Sequence, residues 1–127
     1  MAERAPTVLL VDNDDSMLAA LAARLGDSGY RCLTASSGAQ AMAIFGETPV
    51  DLIVTDLNMP SGDGVSLARA VRQFSEAPIV IVTGFRDEYR RELRAIANVS
   101  ILEKPFRTDQ LLEVLEAELT LHDLEVE

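Results

Sequence analysis

The 127-residue chain is the size of one domain, and a hydrophobic content of 48% excludes a disordered tail. Its formal net charge of −10 repels phosphate backbones and argues against direct nucleic-acid binding by this domain. No apolar run approaches the roughly 20 residues that span a bilayer, one cysteine (Cys32) excludes an internal disulfide, and Cys32 with a lone His122 makes a poor zinc set.

Residues 1–6 read as a loose N-terminal arm without a signal-peptide pattern, so a cytoplasmic location is expected. Thr7 to Val11 (TVLLV) is a continuous apolar run of strand length, as in a strand buried on both faces. Asp12, Asn13, Asp14 and Asp15 follow at once. A helix comes next, capped by Asp14, Asp15 or Ser16, with Leu18, Leu21, Ala22 and Leu25 on one face and Gly26 and Gly29 at its end. Arg31 to Ala35 reads as a second strand. Ser37 and Gln40 have capping-box spacing before a short helix that carries Ala41, Ile44 and Phe45. Leu52 to Thr55 is a third strand that runs into Asp56. A loop rich in turn formers follows: Asn58, Pro60, Ser61, Gly62, Asp63 and Gly64. Leu67, Val71 and Phe74 mark a third helix. Ile79 to Val82 is a fourth strand that ends at Thr83-Gly84. Asp87 caps a fourth helix with Tyr89, Leu93 and Ile96 on its inner face. Val99 to Leu102 is a fifth strand, followed by Glu103-Lys104-Pro105-Phe106. The last helix starts at Thr108 or Asp109 and turns Leu112, Leu115 and Leu119 inward.

Five βα units with short connections imply an α/β domain with a parallel sheet and helices on both faces. Right-handed crossovers then bring every strand's carboxyl end to one edge. That edge collects Asp12 to Asp15 from strand one, Asp56 from strand three, Thr83 from strand four and Lys104 from strand five. Clustered carboxylates repel each other, and a raised pKa or a divalent cation relieves them. Asp12, Asp56, an amide oxygen from Asn13 and a backbone carbonyl suit Mg²⁺. A hydroxyl and an ammonium are the groups that bind phosphoryl oxygens, and Asp56 placed among them is a candidate nucleophile for an acyl phosphate. Each piece has a plainer reading: a turn at Asp56, an N-cap cluster at 12–15, a β-branched strand residue at Thr83. Lys104 resists one, because ten of the eleven basic residues are arginine and this is the single lysine.

The motifs VLLVDND (8–14), DLIVTDLNMPSGDG (51–64), PIVIVTG (78–84) and EKPF (103–106) resemble, in order and spacing, a receiver domain of the two-component response regulators over residues 7–121. The resemblance implies a flavodoxin-like (βα)₅ fold with strand order 2-1-3-4-5. It implies Asp56 as phosphoacceptor, charged by a sensor histidine kinase or phosphotransfer protein with Mg²⁺ as cofactor. It implies Asp12, the position of Asn13, Asp56 and the backbone carbonyl of Asn58 as metal ligands. Thr83 becomes the hydroxyl that moves toward the phosphoryl group, Lys104 its countercharge, and the Lys104–Pro105 bond is expected to be cis. The domain is then a signalling module that promotes only its own phosphotransfer and dephosphorylation.

Three departures stand out. Asn13 occupies the place of the family's second acid, so Mg²⁺ is expected to bind more weakly. Ile101 occupies the switch position where the family carries an aromatic ring, so the signal would leave by loop motion or through Phe85 or Tyr89. The segment from Thr83 to Lys104 is about one residue short. A rival reading takes Asp12-x-Asp14 as the motif of the haloacid-dehalogenase phosphatases, but it leaves Asp56 and the loop after it unused. Another is a pseudo-receiver that binds partners without phosphate. Arg86, Arg90, Arg91 and Arg94 form a basic stripe, whereas Thr108 to Glu127 holds seven acids and no Lys or Arg. The plain reading of both is a solvated face. The sharper one pairs them, within one chain or across a homodimer built on the fourth helix, fifth strand and fifth helix, or docks the stripe on an acidic partner.

Overall fold

The computed structural model describes residues 5–57, 64–84 and 90–126; of residues 90 and 122–126 it describes the backbone alone. The five strands form where expected: β1 (Thr7–Val11), β2 (Arg31–Ala35), β3 (Leu52–Asp56), β4 (Ile79–Thr83) and β5 (Val99–Glu103). The strands lie parallel in the order β2-β1-β3-β4-β5, the flavodoxin-like arrangement. The last three strands reach one residue further than their apolar runs, because the ladder continues through the pairs Asp56–Val82 and Thr83–Glu103. That extension holds the backbones of Asp56 and Thr83 in the sheet while their side chains reach its edge.

Alternation along the strands divides the core into two layers. Leu9, Val11, Ile53, Ile79 and Ile81 face one side and pack on α2 (Gly38–Glu47), α3 (Gly64–Arg72) and α4 (Arg90–Arg94) through Ala41, Leu67, Val71 and Leu93. Val8, Leu10, Leu52, Val54, Val80 and Val82 face the other side and meet α1 (Asp15–Asp27) and α5 (Thr108–Val126) through Leu18, Leu25, Leu111 and Leu115. The central strands are buried on both faces, which is why they read as unbroken apolar runs.

The helix ends follow local chemistry. The Asp14 side chain caps α1 by accepting from the Met17 N–H at 3.1 Å. Gly26 lies inside that helix, and the reversal falls on Gly29, whose φ of +99° suits a residue without Cβ. Ser37 caps α2 as expected, accepting from the Gln40 N–H at 3.1 Å. The reciprocal bond of the capping box goes one residue further back: Gln40 Oε1 accepts from the Ser36 N–H at 2.7 Å.

One inner-face expectation needs correcting, and two are sharpened. Phe74 is 74% exposed, because α3 stops at Arg72 and the chain turns there, with the Phe74 and Ser75 N–H groups both donating to the Val71 carbonyl. In α5 the fully buried pair is Leu111 and Leu115, while Leu112 and Leu119 sit half-buried at the rim. In α4, Leu93 is buried as expected, and Ile96 packs on the core from the turn after the helix. Asp87 and Tyr89 lie outside the described residues, as does Asn58.

Candidate functional site

Four strand ends deliver the polar groups. Asp12 directly follows β1, and its N–H extends the ladder by donating to the Ala35 carbonyl at 3.1 Å. Its carboxylate turns inward, leaving the residue 5% exposed, and Oδ1 accepts the Asp14 N–H at 2.9 Å. Asp56 closes β3 with a side chain only 11% accessible. Thr83 closes β4 and is 1% exposed. The Lys104 N–H donates to the Thr83 carbonyl at 2.9 Å, so one more ladder bond carries the lysine past the end of β5. The Lys104–Pro105 peptide is cis. From there the Lys104 side chain, 37% accessible, brings its ammonium to 3.4 Å from Asp56 Oδ2.

The site therefore brings Asp12, Asp56, Thr83 and Lys104 to one edge, with Asn13 exposed beside them. Below Asp12 and Asp56 the space is closed by apolar groups that include Leu18, Val54, Val82 and Phe106. Burial holds the Asp12 carboxyl above the usual carboxylate range. The Asp14 N–H opposes this shift, the Asp56 charge adds to it, the Lys104 charge opposes it, and the Asp14 charge adds to it again. Like charges at Asp12 and Asp56 thus press on each other, and Lys104 offsets part of the pressure.

This donor set fits Mg²⁺ in kind. Two carboxylates and an amide are hard oxygen ligands on a rim open to water. Among the described residues, no three His, Cys, Asp or Glu side chains gather as a metal group.

Two residues carry more of the site than their sequence signals announced. Gly64 was one turn former among several. A Cβ there would stand 2.6 Å from the Asp56 carbonyl oxygen. Thr55 was one strand residue among several. It is fully buried, and its hydroxyl donates to that same carbonyl at 3.0 Å. A groove of about 540 Å³ also opens beside Lys104, lined by Met17, Ala20 and Leu21 of α1 and by Pro105 and Phe106. Across it the Arg24 guanidinium donates to the Thr108 hydroxyl at 3.0 Å. Ile101 is half-buried against the α2–α3–α4 layer. Among the described residues no ion pair joins α4 to α5; α4 pairs instead with α3, Glu92 standing 3.8 Å from Arg69. Arg86 and the Arg90 side chain lie outside the described residues.

Comparison with known proteins gives one answer. The response regulator receiver domain family matches residues 8–116. The chain is 40% identical over 91 residues to the transcriptional regulatory protein AruR of Pseudomonas aeruginosa, an alignment that takes in 68% of this chain and 37% of that protein. It is 34% identical over 111 residues to the sensor histidine kinase RcsC of Salmonella typhi, covering 85% of this chain and 12% of that protein. The chain thus spans well under half of either relative. Among solved structures it resembles the chemotaxis response regulator CheY4 of Vibrio cholerae, with a TM-score of 0.83 and 32% identity over 90% of this chain and 98% of that one. No described helix is long and apolar enough to cross a membrane. The motifs, the strand order and these likenesses agree: the chain belongs to the response regulator receiver domain family, the signalling domain of two-component systems.

Proposed function

We propose that this receiver takes a phosphoryl group onto Asp56 from the phosphohistidine of a kinase or phosphotransfer protein. The observation that carries the reading is the Lys104 ammonium 3.4 Å from Asp56 Oδ2, beside the buried Thr83 hydroxyl and the buried Asp12. A carboxylate oxygen of Asp56 attacks phosphorus, the P–N bond breaks, and the imidazole leaves with the electron pair. The product is an acyl phosphate. Phosphoryl transfer needs positioning and charge neutralisation more than covalent help. The β3 backbone positions Asp56, and its low accessibility keeps competing water to one side. Lys104 sits where charge on the transferred oxygens would gather. A bound Mg²⁺ would supply further positive charge to those oxygens, held by Asp12, Asp56, Asn13 and the Asn58 carbonyl. Water attack on the acyl phosphate returns Asp56 and ends the signal. The groove beside Lys104 offers a protein donor an apolar surface next to the nucleophile.

The output follows from what the phosphoryl group would recruit. The Thr83 hydroxyl moves toward it, β4 and α4 follow, and Ile101, half-buried on the α4 side, repacks without swinging a ring. The exposed Arg91 and Arg94 then give α4 a basic face for an acidic partner or for a second copy. Salt-sensitive self-association that is lost on Arg94→Glu supports the homodimer.

Treatment with acetyl phosphate and Mg²⁺, read by intact mass, tests the reading. A gain of one phosphoryl group, absent in Asp56→Asn, supports it; no gain at high Mg²⁺ supports a phosphate-independent binding module, which the amide at Asn13 favours. The phosphatase reading with Asp12 as nucleophile finds no support. The family match over residues 8–116 is to the receiver domain, and Asp56, which the phosphatase reading leaves unused, lies beside Lys104 at the centre of the site.

A further inference from the structure

The main chain at Asp56 is gripped from two sides. The Thr55 hydroxyl donates to the Asp56 carbonyl at 3.0 Å. The first residue of α3, Gly64, sits against the same carbonyl: a Cβ there would lie 2.6 Å from the oxygen and 3.0 Å from the Leu57 Cα. The Gly64 N–H donates to the Leu57 carbonyl at 2.8 Å, which closes the loop between β3 and α3 onto its own starting point. The Leu57 N–H donates to the Val82 carbonyl at 3.0 Å, so the same peptide is also pinned to β4. Gly26, Gly38, Gly46 and Gly84 have nothing within 4 Å of such a Cβ, which makes the crowding at Gly64 specific.

We propose that Gly64 is a positioning residue for phosphoryl transfer: by lacking a side chain it lets the start of α3 clamp the Asp56–Leu57 main chain and so holds the Asp56 carboxylate at its distance from Lys104. The proposal rests on Asp56 being the phosphoacceptor. An added methyl needs roughly 3.4 Å to the carbonyl oxygen, so either α3 withdraws or the 56–57 peptide tilts by most of an ångström. Tilting that peptide turns the Cα–Cβ bond of Asp56, and displacements of this size at a reacting atom slow transfer by about tenfold or more.

The test compares wild type, Gly64→Ala and the control Gly46→Ala, each with acetyl phosphate and Mg²⁺. A second readout is the ¹³Cγ chemical shift of the Asp56 carboxylate, assigned with Asp56→Asn. Folded Gly64→Ala is expected to accept phosphate about tenfold more slowly and to show a displaced Asp56 resonance, with Gly46→Ala unchanged in both. A Gly64→Ala protein that melts earlier but keeps the wild-type rate and resonance overturns the proposal, since the glycine then serves packing alone. If Gly64→Ala does not fold, the near-isosteric Thr55→Val decides. It removes one of the two grips, and an unchanged rate and resonance there overturn the proposal equally. A wild type that takes no phosphoryl group defeats the proposed function instead, and the resonance still reads the positioning.

Discussion

Lys104 stands 3.4 Å from Asp56 although β4 lies between their strands. The reach is possible because the Lys104 N–H holds the Thr83 carbonyl one step beyond β5, which points the long side chain back across the sheet edge. A compact ammonium on a flexible stem suits that reach; a planar guanidinium does not. Replacing Lys104 with Ala is expected to slow phosphorylation by acetyl phosphate by about tenfold or more, in line with the loss of one preorganised countercharge. Lys104→Arg should recover only part of the rate. Full recovery by arginine would mean that charge alone, without the lysine's shape, serves the site.

In the proposed Mg²⁺ site, Asn13 offers an amide oxygen where a carboxylate would add charge. Affinity of oxygen sites follows ligand charge count, so Asn13→Asp is expected to lower the half-saturating Mg²⁺ concentration about tenfold. Calorimetric Mg²⁺ titration and the Mg²⁺ dependence of phosphorylation both report it. An unchanged dependence would show that the residue at 13 does not face the metal.

Burial, with the charge of Asp56 behind it, holds the Asp12 carboxyl above the ordinary carboxylate range. The folded protein therefore binds this proton more tightly than the unfolded chain does. The stability it contributes is fully present below the ordinary carboxylate pKa and is lost as pH rises through the raised value. At neutral pH an ionised Asp12 is a cost. Asp12→Asn keeps an oxygen for the Asp14 N–H and removes the charge. Without Mg²⁺, its Tm should exceed the wild type's by about 2–5 °C at pH 7, and the gain should shrink on acidification. A gain independent of pH would place its origin elsewhere.

Burial and exposure predict unequal costs for apolar substitutions. Leu115, fully buried against the sheet, should lose about 2–5 kcal/mol on Leu115→Ala. Phe74, largely exposed, should change stability by no more than about 0.5 kcal/mol on Phe74→Ser. Urea denaturation of both variants checks the pair, and a large loss at Phe74 would return it to the core.

What was legible in the chain was what repeats or what stands in line. Apolar runs marked the three central strands, the regular βα spacing placed the two edge strands, and the polar residues just after four of them picked out Asp12, Asp56, Thr83 and Lys104 as the groups that gather at one edge. Helix faces were less legible, because periodicity does not say where a helix stops. Phe74 keeps the spacing of an inner residue, yet α3 has already ended at Arg72. In α5 a one-residue rotation exchanged Leu112 for Leu111 at the deepest contact. Gly64 and Thr55 were hidden for another reason: Gly64 acts through a tertiary approach to the Asp56 carbonyl and Thr55 through a side-chain bond to its neighbour's carbonyl, and composition carries no trace of either.

The central claim is that phosphate goes to Asp56, and site mapping tests it most directly. The domain is treated with acetyl phosphate and Mg²⁺, reduced with borohydride, digested and read by peptide mass spectrometry. An acyl phosphate on an aspartate is reduced to homoserine. The account predicts homoserine at position 56 and at no other aspartate. Homoserine at Asp12 or Asp14 with position 56 unmodified would contradict it.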